Sequence, residues 1–124
     1  MLFRSGEAYT SNGTGPTFTA GAGQSNGTAT VTVIVPPGET RTVLVTAQSS
    51  FLGVAGTSNV SFFIYDGSAA QGGVTAEGTA TIEGSPSTSY AVVITTTTTF
   101  TTRYSCTTSN ADVQFETISA LAIK

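Results

Sequence analysis

Seven carboxylates are the side chains of this sequence most suited to chemistry, and they are scattered singly along the chain. A glycosidase needs two carboxyl groups that face each other across a glycosidic bond, and a calcium site needs several carboxylate and carbonyl oxygens close together. No spacing among the seven favours either arrangement, so we expect no catalytic carboxylate pair and no metal site. They are Glu7, Glu39, Asp66, Glu77, Glu83, Asp112 and Glu116.

The chain has no histidine and one cysteine, Cys106. Without an imidazole, neither a Ser-His-Asp triad nor a histidine general base can be built. A nucleophilic thiolate needs a basic partner, and Cys106 shares strand parity with Phe100 and Tyr104, so we expect it to be a small buried hydrophobic residue. The glycines form neither a dinucleotide-binding turn nor a phosphate loop. The sequence therefore predicts a protein that is not an enzyme and takes no cofactor.

The charge balance and the hydropathy pattern restrict the partners. Lys and Arg total 4 against 7 Asp and Glu, a net charge of −3, which is too little positive charge to hold a nucleic-acid backbone. No apolar run approaches the roughly 18 residues that a spanning helix needs, and the first residues lack the apolar stretch of a signal peptide. We expect a chain that is made and folded without secretion and that binds neither nucleic acid nor membrane.

Composition favours a folded β-rich domain over a disordered chain. Of the 124 residues 25 are threonine, about a fifth, and hydrophobic residues make up 39%. Charged residues make up 9%, where soluble domains average about 25%. Disordered chains are usually highly charged and poor in aromatic and β-branched residues, and this chain is the opposite.

Period-two alternation of apolar residues between turn signals predicts an all-β, antiparallel β-sandwich, a jelly roll of seven to eight strands. The first two clear strands are expected to form a hairpin around Pro36-Pro37-Gly38. The run Thr95–Thr99 is interpreted as a continuing strand or a hairpin rather than as a flat ice- or sugar-binding surface. In the last strand Val113, Phe115, Leu121 and Ile123 share one face by parity, unless a bulge intervenes. The predicted strands are Thr28–Val35, Arg41–Gln48, Asn59–Tyr65, Val74–Glu83, Tyr90–Thr95, Thr98–Cys106 and Asp112–Ile123, with an eighth near Thr17–Ala20.

The first 27 residues differ from the rest because they are rich in glycine and contain only isolated apolar residues. We predict an extended N-terminal arm over residues 1–27 and the sandwich over residues 28–124. The arm orders on a neighbouring subunit or on the domain's own side, or it is a disordered tail. The predicted strands carry few of the charges that protect sheet edges, so we expect a homo-oligomer. The residues predicted for its interfaces are Leu2, Phe3, Arg4, Tyr9, Phe18, Phe51 and Leu52.

The C-terminal third resembles the closing strands of small jelly-roll domains of bacteriophage virion proteins, which are similar in topology to tumour necrosis factor and C1q. The turn at Pro36-Pro37-Gly38 and the strand after it also fit that group, and the resemblance covers roughly residues 28 to 124. The segments that carry it are Thr42–Thr46, Tyr90–Ile94, Thr99–Tyr104, Val113–Phe115 and Ile118–Lys124.

The resemblance implies a virion structural protein that is commonly a trimer. It predicts a capsid decoration (cement) protein that is made in the host cytoplasm and binds the major capsid protein on the outer surface of a phage head. The alternative is a tail-fibre or receptor- or carbohydrate-binding tip, against which the absence of tryptophan weighs. A third class, a bacterial surface or adhesin repeat, predicts internal repeats or a signal sequence, and neither is seen.

Overall fold

The computed structural model describes residues 7–13 and 15–123, the first of these ranges by its backbone. The strands end where the sequence places turn residues, such as Gly38 and Gly67, which adopt φ values of 79° and 98° that favour glycine. The described residues form nine strands: β1 (Glu7–Gly13), β2 (Thr17–Phe18), β3 (Ser25–Val33), β4 (Arg41–Gly53), β5 (Ser58–Tyr65), β6 (Ala70–Gly78), β7 (Ser87–Ile94), β8 (Thr98–Cys106) and β9 (Ala111–Ile123).

The strands form two antiparallel sheets that pack face to face. The five-stranded sheet has the order β1-β9-β4-β7, with β2 also paired to β9. The four-stranded sheet has the order β3-β8-β5-β6. Successive strands mostly alternate between the two sheets, which is the jelly-roll arrangement. The predicted antiparallel β-sandwich is therefore confirmed.

Every second side chain along a strand points into the core between the two sheets. In four of the strands these inward residues are the ones that the sequence placed on a common face. Cys106 is buried with them, which confirms the interpretation of this residue as a small core hydrophobe. The inward residues of these strands are Val31 and Val33 of β3, Val43, Val45 and Ala47 of β4, Val60, Phe62 and Ile64 of β5, and Phe100 and Tyr104 of β8.

The predicted hairpin between the strands on either side of Pro36-Pro37-Gly38 is wrong. β3 pairs with β8 in the four-stranded sheet, and β4 pairs with β7 and β9 in the other. The threonine run also connects the two sheets, since β7 ends at Ile94 and β8 begins at Thr98. Thr97 accepts a hydrogen bond from the Val35 N–H at 3.0 Å and so holds the end of β3. Proline and glycine mark where a strand stops, but they do not specify which sheet the chain enters next.

The segment predicted as an arm contributes strands to the sandwich over its described residues. β1 pairs antiparallel with β9 from Glu7↔Ala122 to Gly13↔Glu116, and β2 pairs with the other end of β9 at Thr17↔Asp112. The boundary set between residues 27 and 28 falls inside β3. The physical reason is the length of β9: its 13 residues leave a long edge of unpaired amides unless the N-terminal segment covers it.

Within the described ranges, we find no helix long and apolar enough to cross a membrane.

Candidate functional site

A β-bulge in β9 determines which of its residues face the solvent. In the pairing with β4, Ser50 lies opposite Phe115 and Phe51 lies opposite Val113, so Gln114 is an extra residue. After this bulge the parity of β9 reverses: Phe115 is 45% exposed and Glu116 is 0% exposed. The sequence left two alternatives for this strand, a common face for Val113, Phe115, Leu121 and Ile123 or an intervening bulge. The bulge is the one found, and Phe115, Leu121 and Ile123 lie on the outer face.

The outer face of the five-stranded sheet carries no charged residue where β4, β7 and β9 all lie side by side, over residues 42–48, 87–93 and 117–123. We call this surface the neutral face. Its outward residues are Thr42, Leu44, Thr46 and Gln48 of β4, Ser87, Ser89, Ala91 and Val93 of β7, and Thr117, Ser119, Leu121 and Ile123 of β9.

Apolar side chains cluster at one end of the neutral face. Leu44 lies opposite Leu121 on one side and Ala91 on the other. In the next row of the sheet, Val93 and Ile123 lie on either side of a threonine, and each is more than two-fifths exposed. Contiguous exposed apolar side chains of this kind mark binding surfaces more often than isolated ones do.

The adjoining part of the neutral face is polar but internally hydrogen-bonded. The hydroxyls of Thr46 and Ser119 lie 2.8 Å apart and bond to each other. A hydroxyl that keeps a partner loses little on removal from water, whereas an unpartnered one loses much more. This part of the surface can therefore be covered by another protein at a smaller cost than a charged surface.

The same bulge buries the Glu116 carboxylate between the two sheets. Oε1 accepts hydrogen bonds from the backbone N–H groups of Thr28 and Ala29 in β3 and from the Thr102 hydroxyl in β8, the last at 2.9 Å. The two N–H groups are available because the pairing of β3 with β8 shifts register between Asn26 and Thr30. Glu116 thus connects β9 of one sheet to two strands of the other.

A tyrosine and a serine complete this cluster. The Tyr104 phenol oxygen is 3.0 Å from Glu116 Oε2 and 2.8 Å from Ser49 Oγ. A phenol has one proton and a carboxylate only accepts, so Tyr104 donates to Glu116 and Ser49 donates to Tyr104. We call these residues, with Thr28, Ala29 and Thr102, the Glu116 cluster.

The electrostatics of the Glu116 cluster keep the phenol protonated. Burial raises the pKa of Tyr104 most strongly, the Ser49 hydrogen bond lowers it, and the negative charge of Glu116 raises it again. The net effect is a pKa well above the usual range. Two backbone N–H groups, the Thr102 hydroxyl and the Tyr104 phenol all donate to a carboxylate that solvent does not reach. The arrangement therefore suits the joining of two sheets rather than the binding of a substrate.

The structure places the predicted interface residues in different environments. Leu2, Phe3 and Arg4 lie outside the described residues. Tyr9 belongs to β1, where its backbone is paired with Ala120.

The remaining three predicted interface residues do not form a common surface. Phe18 is 6% exposed and stacks on Tyr104 with 4.5 Å between ring centroids. Phe51 is fully buried, and its backbone pairs with Gly84, while Leu52 is half-buried. Phe18 and Phe51 are thus corrected from interface to core residues. Both appeared isolated among small residues in the sequence, but their strands direct them inward.

Sequence reasoning missed the Glu116 cluster and most of the neutral face. In the sequence Glu116 is one of seven scattered carboxylates, and the residues around Gln114 contain no turn or glycine signal that predicts a bulge. The signal for the neutral face was available in part, because β4 and β7 alternate regularly and their outward positions contain no charge. In the part of the chain that is described, no three His, Cys, Asp or Glu side chains come together in a way that could hold a metal ion.

A search with protein-family models finds no match to the chain, and no curated protein sequence matches it either. Solved structures do share its fold. A structure of Eiger TNF from S. frugiperda is 11% identical, with 98% of this chain and 94% of that chain covered and a TM-score of 0.55. A crystal structure of FLHE is 15% identical, with 98% of this chain and 99% of that chain covered and a TM-score of 0.53. The CBM22-1 xylan-binding domain from Paenibacillus barcinonensis Xyn10C is 14% identical, with 99% of each chain covered and a TM-score of 0.47. The likeness to the TNF structure supports the jelly-roll β-sandwich.

Proposed function

We propose that this protein is a non-enzymatic structural protein that acts by association through the neutral face. In its specific form, the proposal is a homotrimeric decoration (cement) protein of a bacteriophage head, made in the host cytoplasm and bound to the major capsid protein on the virion surface. The single observation that carries the proposal is an outer sheet face without charge and with four half-exposed apolar side chains, Leu44, Val93, Leu121 and Ile123.

The size of the neutral face suits a protein interface. Three strands spaced about 4.8 Å apart, over the eight residues of β7, give a flat area of about 400 Å². A standard interface buries about 800 Å² of accessible surface per partner, and the accessible surface of side chains exceeds the flat area beneath them. The neutral face can therefore form the central part of such an interface.

The energy of association comes from apolar burial rather than from ion pairs. A large aliphatic side chain contributes about 1.5–3 kcal/mol on full burial, so each half-exposed side chain of the apolar cluster contributes about 1 kcal/mol. These contributions combine when several copies associate, so an assembly of copies on a lattice is held firmly. This dependence on many weak contacts is what a protein that reinforces a shell requires.

The direct test is binding to heads of the encoding phage that lack this protein. We expect the wild-type protein to co-sediment with these heads and to raise the temperature at which they open. Val93→Glu places a charge in the apolar cluster and is expected to abolish binding. Ile82→Glu is the matched control, because Ile82 lies in the β6–β7 connection at 69% exposure, close to the 61% of Val93.

Two outcomes contradict the proposal. If Val93→Glu binds heads as well as Ile82→Glu does, assembly on the head does not depend on the neutral face. If the wild-type protein does not bind heads but binds host cells, its function is that of a tail-fibre or receptor-binding tip and not that of a decoration protein.

A further inference from the structure

An arginine side chain lies over an aromatic ring on the outer face of the four-stranded sheet. The Arg103 guanidinium of β8 lies 3.9 Å from the centroid of the Tyr65 ring of β5. The ring is held in turn, since the Tyr65 hydroxyl donates to the Gly67 carbonyl at 3.1 Å. Phe63, which lies directly opposite Arg103 in the sheet, is half-buried and extends the aromatic surface.

Two neutral amides hold the guanidinium from its side. Nε donates to Gln24 Oε1 at 3.0 Å, and one terminal nitrogen donates to Asn26 Oδ1 at 3.1 Å. An arginine has five N–H donors and two of them are used here, so three N–H groups of the terminal nitrogens have no hydrogen-bond partner among the described residues. They form the planar fork that suits a carboxylate.

Arg103 forms no ion pair with an acidic side chain of the described residues. The ion pair formed among the described side chains joins Arg41 to Glu39, and the groups that contact Arg103 are amides and a phenol ring, which leave its charge unneutralised. A cation fixed in place without a counter-ion has already lost its conformational freedom before any ligand arrives. It therefore binds an anion with little further loss of entropy.

We propose that Arg103 is the centre of a binding site for an acidic saccharide, in which the guanidinium binds the carboxylate of a uronic or sialic acid. The surrounding surface suits a sugar ring because it combines aromatic faces with rows of hydroxyls. Thr30 and Thr101 lie beside the site, and their hydroxyls are 3.3 Å apart. A nucleic acid does not fit, since one cation neutralises too little backbone charge.

This site does not depend on the proposed decoration function, because it lies on the opposite sheet from the neutral face. If the neutral face is covered in an assembly, the four-stranded sheet stays accessible on the other side of the sandwich. Failure of head binding and failure of saccharide binding are therefore separate results.

The test is a titration of the ¹⁵N-labelled protein by NMR with sodium D-glucuronate, D-glucose and sodium acetate, each to about 50 mM, a range in which millimolar affinities are measurable. We expect glucuronate to shift the Arg103 Nε–H resonance and the Thr101 and Tyr65 amides in a saturable way. Glucose and acetate are each expected to bind about tenfold more weakly or worse, because each offers half of the recognised chemistry.

Variants connect the shifts to the site. Arg103→Gln is expected to weaken glucuronate binding about tenfold or more, since it removes the charged fork. Lys124→Gln removes one positive charge at another position of the sequence and is the control for net charge. Asn26→Ala keeps the guanidinium but removes one of the two amides that hold it, and we expect an affinity for glucuronate between those of the wild type and Arg103→Gln. This variant tests the site if Arg103→Gln does not fold.

Three results overturn this proposal. No saturable shift with glucuronate shows that the site does not bind acidic sugars. Equal affinity for acetate and glucuronate shows an anion site without sugar recognition. Undiminished binding by Arg103→Gln or, if that variant does not fold, by Asn26→Ala shows that Arg103 is not the centre.

Discussion

Replacing Glu116 with leucine tests how the two sheets are joined at the β9 bulge. Leucine fills a similar volume but accepts no hydrogen bond. The Thr102 hydroxyl can turn to the Ala29 carbonyl, 3.5 Å away, but the Ala29 N–H loses the acceptor that it has in Glu116. A buried donor without a partner costs about 1–3 kcal/mol. With the loss of the charge-assisted bonds from Thr102 and Tyr104, we expect Glu116→Leu to lower the free energy of unfolding by about 3–4 kcal/mol.

Glutamine at the same position separates charge from hydrogen bonding. Glu116→Gln keeps one acceptor oxygen for the donors of β3 and β8. Its NH₂ group then faces Tyr104, whose phenol can accept this bond and donate to Ser49 at 2.8 Å. The uncharged side chain is also less costly to bury. We therefore expect a smaller loss, about 1–2 kcal/mol.

Equilibrium urea unfolding measures both effects. The chain has no tryptophan, so the transition is followed by far-UV circular dichroism and tyrosine fluorescence. Glu77→Gln is the matched control, because Glu77 is exposed on β6, and it is expected to change stability by less than about 0.5 kcal/mol. Some buried charged groups can be replaced by apolar residues with a gain in stability. A Glu116→Leu protein as stable as the wild type would therefore refute the role assigned to the Glu116 cluster.

Three further predictions follow from the same region. Gly27→Ala is expected to lose about 2 kcal/mol in the urea assay, because a Cβ there meets both Glu116 carboxylate oxygens at 2.7 Å; an unchanged midpoint contradicts the packing. Burial raises the pKa of Tyr104, so its contribution to stability is complete below the unfolded-state pKa of about 10 and is lost as the pH rises further. Absorbance at the phenolate band is expected to show a tyrosine that ionises only with alkaline unfolding and that Tyr104→Phe lacks. Burial also raises the pKa of the Cys106 thiol, and this thiol is expected to resist Ellman's reagent until urea unfolds the protein; rapid reaction of the native protein excludes its burial.

Alternation was sufficient to predict the core wherever a strand is regular. Val31 and Val33, or Phe62 and Ile64, face inward because period two is built into the pleat and no other feature interferes. The same rule failed in β9, where one extra residue, Gln114, exchanged the faces of Phe115 and Glu116. The position of the bulge depends on the pairing of β9 with β4 and on the backbone N–H groups of β3 that bind Glu116. Both are long-range contacts that the local sequence does not specify.

Strand pairing was harder to predict than strand position. The turn at Pro36-Pro37-Gly38 suits a hairpin, but β3 pairs with β8 and β4 pairs with β7 and β9, so the two strands lie in opposite sheets. The interface prediction failed at Phe18 and Phe51 for a related reason. Isolated aromatics in small-residue segments look exposed in sequence, yet a sandwich buries them wherever a short strand or bridge points them inward.

The oligomeric state in solution tests the central claim, that the neutral face mediates assembly, most directly. Sedimentation velocity of the wild type, Val93→Glu and Ile82→Glu is measured from about 1 to 100 μM, since association depends on concentration. We predict that the wild type and Ile82→Glu sediment with three times the chain mass of 12.5 kDa, while Val93→Glu sediments as a single chain. A wild-type protein that remains a 12.5 kDa monomer throughout, or a Val93→Glu variant that still forms the trimer, contradicts the claim.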